Sequence, residues 1–154
     1  MSAARPTGRI ETALASWALD RSMVRHAPRQ DNPFKDPPSV LPSGMKHYQA
    51  NCVLCHGASG VSPAELAYGL NPPAPALHGQ GTQSRTDGQL FWVIRNGIRM
   101  TGMPAFGPTH EDEEIWHIVA FVRHLPALTD QERQTLQAGV KEEGDHHGPT
   151  EHAP

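Results

Sequence analysis

Cys52-Val53-Leu54-Cys55-His56 is the stretch around which the rest of the chain has to be read. Two thiols three positions apart, followed at once by an imidazole, form the CxxCH pattern of a c-type haem attachment site. The spacing has a chemical reason. Two intervening residues let both sulfurs reach the two vinyl groups of one porphyrin, and the adjacent histidine is brought under the iron as proximal ligand. Plainer uses of the motif fit less well. A structural disulfide leaves His56 without a role. A thioredoxin-like CxxC needs a strand-to-helix setting, which Gln49-Ala50-Asn51 before it and Gly57-Ala58-Ser59-Gly60 after it do not offer. A zinc site wants four Cys or His ligands at paired spacings, and these are the chain's 2 cysteines.

The 154 residues suit one small domain with additions. With 14 Gly, 15 Pro and 6% aromatic residues, the chain is poor in core-building side chains. A covalently held, largely apolar macrocycle would supply the missing core. A net charge of -3 argues against nucleic acid as a partner, and no stretch approaches the roughly 18 apolar residues that span a bilayer. Cations outnumber anions before residue 40, and anions outnumber cations after residue 126. No signal peptide is visible. Thioether attachment takes place outside the cytoplasm, so the chain is expected to begin downstream of a removed signal or an anchor, with Met1 an added start.

Upstream of the motif, Ser43 can cap a helix running from Gly44 through Asn51, with Tyr48 on its inner face one turn after Gly44. Before it, Pro28, Pro33, Pro37, Pro38 and Pro42 predict an extended, semi-rigid linker over residues 28–42. Residues 8–26 read as an amphipathic helix ended by Pro28. Ile10, Ala13, Leu14, Trp17, Ala18 and Val24 recur near helical spacing, among Arg9, Glu11, Asp20, Arg21 and Arg25. That helix either packs on its own domain, the favoured expectation, or serves as a juxtamembrane or partner-docking element.

Downstream, residues 57–85 form a long irregular stretch, a length that is rare unless the loop is functional or wrapped around something. Thr86-Asp87-Gly88-Gln89 is a capping-box pattern opening a helix to about Asn96, with Gly97 as its stop. Phe91 and Trp92 could lie on a haem edge but read better as core. Met100 and Met103 compete in Arg99-Met100-Thr101-Gly102-Met103-Pro104-Ala105-Phe106, where a soft thioether on a rigid glycine-proline loop suits a sixth haem ligand. Thr109 is expected to open the next helix. Glu111, Asp112, Glu113 and Glu114 crowd its start, and Arg123 and His124 its end. Its buried stripe is Ile115, Ile118, Val119, Val122 and Leu125. His110, His117 and His124 recur every seven residues, roughly 10 Å apart along a helix and too far to share one ion; a solvated stripe is expected. Thr129 and Glu132 suggest another capping box and a short helix to about Ala138. Beyond it, residues 141–154 read as a polar tail with His146, His147 and His152.

Three ordered motifs, CxxCH, Pro75-x-Leu77 and Gly102-Met103-Pro104, make residues 41–126 resemble a class I, monohaem c-type cytochrome. The residues before 41 resemble, more loosely, the juxtamembrane segment of membrane-anchored bacterial cytochromes c. The resemblance implies an all-α cytochrome c fold, with three to four core helices around one covalent haem c and the N-terminal amphipathic helix added. The implied boundaries are 1–40, 41–126 and 127–154. It also implies that Gly44 and Tyr48 meet the C-terminal helix. The Pro75 carbonyl would accept a hydrogen bond from His56 Nδ1, and Leu77 would lie against the haem ring. Cys52 and Cys55 would hold the haem, and His56 and Met103 would ligate its iron; His78 is a surface loop residue. The function implied is electron transport, with no catalytic residues, between redox protein partners or with a membrane respiratory complex. The protein would be a monomer in the periplasm or elsewhere outside the cytoplasm, either free or tethered by an anchor upstream of residue 1. The alternatives are a haem subunit fixed in a larger oxidoreductase complex, and a gas-binding sensor or enzyme if Met103 is labile.

Overall fold

The computed structural model of the chain describes residues 7–34 and 37–145. Seven helices form among them and no strand: α1 (Arg9–His26), α2 (Pro37–Asn51), α3 (Val53–His56), α4 (Gln80–Gln83), α5 (Asp87–Asn96), α6 (Asp112–His124) and α7 (Asp130–Asp145). This all-α architecture is the one the resemblance implies. The loop after α3 is interrupted only by a 3-10 turn at Glu65–Gly69 and the single turn of α4.

The centre of the fold is α6. Ile115, Trp116, Ile118, Val119, Ala120, Phe121 and Val122 are all buried, because α2, α5 and the 28–34 segment cover it together. Its most extensive partner is α2. Gly44 lets the two backbones touch: a Cβ there would collide with the His117 carbonyl oxygen. One turn on, Tyr48 is fully buried, its ring 5.4 Å from that of Phe121, and its hydroxyl donates to the Gly57 carbonyl at 2.6 Å. Leu128 and Leu136, also buried, bring α7 back over the start of the domain.

The caps around α5 form as the sequence predicts. Thr86 Oγ1 accepts from the Gln89 amide at 3.2 Å and the Thr86 amide donates to Gln89 Oε1 at 3.0 Å, so two amides that lack intrahelical partners are satisfied. Thr129 and Glu132 do the same for α7, at 3.2 and 2.7 Å.

Several expectations need correction. Residues 28–42 are not one extended linker, because α2 begins at Pro37. Pro37 and Pro38 occupy the first turn, where a missing N–H costs nothing, and Pro42 removes one intrahelical bond. Ser43 is therefore mid-helix, 3.0 Å from His117 Nδ1, and caps nothing. The segment before it is fastened down: the Asn32 amide donates to Asp87 Oδ2 at 3.0 Å and Asn32 Nδ2 to the Trp116 carbonyl at 2.8 Å. The helix expected to open at Thr109 starts at Asp112, with the Glu111 amide bonded to Glu114 Oε2 at 2.9 Å. α7 does not stop near Ala138 but runs to Asp145; His146, His147 and His152 lie outside the described residues.

The histidines at 110, 117 and 124 are not a solvated stripe, and His110 precedes α6. His110 makes edge contacts with Phe106 and His47, His117 packs on Phe34 with ring centroids 4.6 Å apart, and His124 bonds Glu132 at 3.0 Å. Neighbouring segments cover the side of α6 that carries His117 and His124, and its exposed face is held by Asp112 and Glu113 instead. Helix α1 packs on α5, but not through the stripe its periodicity suggests. Ile10, Leu14, Trp17 and Val24 are 61–79% exposed, while Met23 is 3% exposed.

Candidate haem site

Cys52 and Val53 follow α2 directly, so α2 aims the motif and α3 is its last turn. Both cysteines are free thiols. Both line an apolar cavity of about 550 Å³ together with His56, Leu77 and Met103. Burial, and then the neighbouring Cys55, pushes the Cys52 thiol up to about 12. It is held neutral in the wall.

His56 Nδ1 lies 2.8 Å from the Pro75 carbonyl oxygen. A carbonyl can only accept, so the ring proton must sit on Nδ1, which leaves the Nε2 lone pair for a ligand. Burial also lowers the His56 pKa, with the bond to Pro75 acting weakly the other way. Neutral imidazole is the form that binds metal.

Met103 is held by its loop. Its amide donates to Thr101 Oγ1 at 3.1 Å, the Thr101 hydroxyl donates to the Ile98 carbonyl at 2.7 Å, and the Ile98 amide donates to the Met103 carbonyl at 3.1 Å. Met103 packs against the core. Met100, three residues earlier, is 81% exposed with a φ of 61° and lies outside the cavity wall. His78 does not line the cavity either. Phe91 stacks on Trp116 at 4.2 Å and Trp92 on His26 at 6.1 Å, which places both aromatics in packing roles.

The donor set fits one haem. An apolar cavity carries two thiols at CxxCH spacing, an imidazole with a free Nε2 and a thioether on a pinned loop. The family model described as cytochrome c oxidase, cbb3-type, subunit III matches residues 40–122. The chain belongs to this family. A cytochrome c domain of this kind carries covalently attached haem c with its iron and works in electron transfer, as a carrier or an oxidase subunit, outside the cytoplasm. Comparison with curated proteins finds no match. No helix among the described residues of the cytochrome is long and apolar enough to cross a membrane, and no group of three or more His, Cys, Asp or Glu residues there could hold a further metal ion.

Sequence reasoning misses part of the cytochrome's cavity wall. Leu19 and Met23 of α1 and Thr82, Arg85 and Gln89 near α5 also line it. For Leu19 and Met23, the signal is an apolar pair at i and i+4 on the opposite side of α1 from Trp17. The stronger outward stripe masks it.

Proposed function

We propose that this cytochrome passes single electrons through a haem tied to Cys52 and Cys55 and ligated by His56 and Met103, with residues 41–126 as its haem domain. The observation that carries the reading is the fixed tautomer of His56 in the same apolar cavity as a loop-pinned Met103. When bound, the haem supplies the ferrous/ferric couple. The chain's own residues do the rest. The Pro75 carbonyl orients His56 and raises its basicity, as such outer partners do. The Thr101 hydroxyl holds Met103 against exchange with water. Leu77 and the apolar wall exclude solvent, which keeps reorganisation small.

Replacing Met103 with Ala tests the ligand assignment. His/Met ligation raises the potential, so Met103→Ala is expected to lower it and to open the site to carbon monoxide. An unchanged potential with no carbon monoxide binding would sink the assignment. In the unsubstituted oxidised protein, a Met-to-iron charge-transfer band is expected, and its presence would reject a sensor with an open site.

For partners, the family match favours a membrane respiratory complex, with the cytochrome as a fixed haem subunit. Reduction by respiratory membranes separates this from a free carrier. A bound subunit is reduced at a rate independent of its concentration, and a diffusing carrier at a rate that rises with it.

A further inference from the structure

The family-matched residues begin at 40, yet the cavity wall does not. Leu19 and Met23 sit in it, one turn apart on the inner face of α1, and Met23 is among the most buried residues of the chain. Between them, Asp20 Oδ1 lies 2.7 Å from Arg85 Nη2. Arg85 lines the same cavity and is the one formally charged side chain among the described residues of its wall, His56 aside. It is itself anchored, because its carbonyl accepts a hydrogen bond from Arg123 Nη2. At the end of α1, His26 stacks on Trp92. The chain then crosses α5 at Gly88, where a Cβ would strike the Pro28 carbonyl oxygen, and is fastened by Asn32 to Asp87 and Trp116. An added helix resting on a finished domain would need none of this seating.

We propose that Leu19 and Met23 form a wall of the haem pocket and that Asp20 and Arg85 clasp that wall shut, so the pocket is complete only with a segment that precedes the family-matched domain. The proposal rests on the haem reading of the cavity. Its consequence is a drier haem than residues 40–122 could provide. Water reaching the haem favours the more highly charged ferric state, so a closed wall raises the potential.

The test uses the full-length holoprotein with Leu19→Ser, Met23→Ser, Asp20→Ala and, on the outer face of α1, Leu14→Ser. At a fixed ambient potential, Leu19→Ser and Met23→Ser are each expected to shift the ferrous/ferric ratio about threefold toward ferric, since burial tunes haem potential; Leu14→Ser should leave it unchanged. Asp20→Ala should speed amide hydrogen exchange across residues 17–26 to the rate of residues 9–16. If the ratio stays unchanged in both serine variants while the Met-to-iron band persists, the wall is rejected. Unchanged exchange in Asp20→Ala rejects the clasp. If Met23→Ser fails to hold haem, Leu19→Ser and the exchange measurement decide. Absence of the band in the unsubstituted protein instead overturns the ligation by Met103, and the exchange result still judges the clasp.

Discussion

Where α2 meets α6, backbone lies on backbone at Gly44 and a buried tyrosine crosses into the next loop; where α1 meets α5, the contact rests on Met23, a ring stack and an ion pair at the surface. The first contact has no freedom. Any added atom must displace main chain, and main chain in a packed core has nowhere to go. The second can open without disturbing the α2–α6 contact, because most of α1 faces solvent and its buried apolar contact is confined to Leu19 and Met23. The difference separates what holds the cytochrome together from what tunes its pocket.

The largest effect that could break this comparison is at Gly44. Gly44→Val drives a side chain into the His117 carbonyl, and the expected loss is about 3 kcal/mol or more, at the upper end for overpacking. A fall in the urea midpoint with unchanged slope would register it. If the variant is as stable as the parent, the close approach of α2 and α6 is misplaced. Next comes Tyr48→Phe, which strands the Gly57 carbonyl after removing its 2.6 Å partner; a loss of about 1–3 kcal/mol is expected from an unsatisfied buried acceptor.

A smaller effect is set by pH. Burial holds the His47 pKa below its ordinary value of 6.5, with Glu114 pulling weakly upward. The unfolded chain therefore takes up this proton more readily than the folded one. Stability is full above the ordinary histidine range and falls as the pH drops through it. His47→Gln should flatten that slope in urea midpoints taken across the range, and an unaltered slope would clear His47 of the role. Smallest of all is Asp20→Ala. Its ion pair is half exposed, so global stability should change by less than about 1 kcal/mol, even while exchange in α1 accelerates. A large global loss would make α1 part of the core and erase the contrast.

Much of the rigid half of this contrast is legible in the amino-acid sequence. CxxCH depends on covalent reach along one chain, and the Thr86–Gln89 and Thr129–Glu132 boxes depend on groups three residues apart, so local sequence is sufficient for both. Resemblance predicts that Gly44 and Tyr48 meet the last helix of the haem domain, and they do. Helix starts at prolines are harder. Pro37 and Pro38 read as breakers, yet a first turn tolerates them, and only the neighbours of α2 decide that a turn forms there. The inner face of α1 is the least legible part. Its outward stripe of Ile10, Leu14, Trp17 and Val24 carries the stronger helical pattern, and periodicity cannot say which side has something to pack against.

The sequence by itself determined the chemistry of this protein: two thiols, an imidazole, a methionine on a Gly-Pro loop and the caps that place their helices. Each depends on neighbours within a few positions, where bond lengths and backbone geometry leave little choice. Only the tertiary structure decided which methionine reaches the cavity, which tautomer His56 holds, why the α6 histidines are half-buried and that Leu19 and Met23 of α1 line the cavity. Those outcomes depend on contacts between residues tens of positions apart, and burial and carbonyl partners exist only once the chain has closed around them.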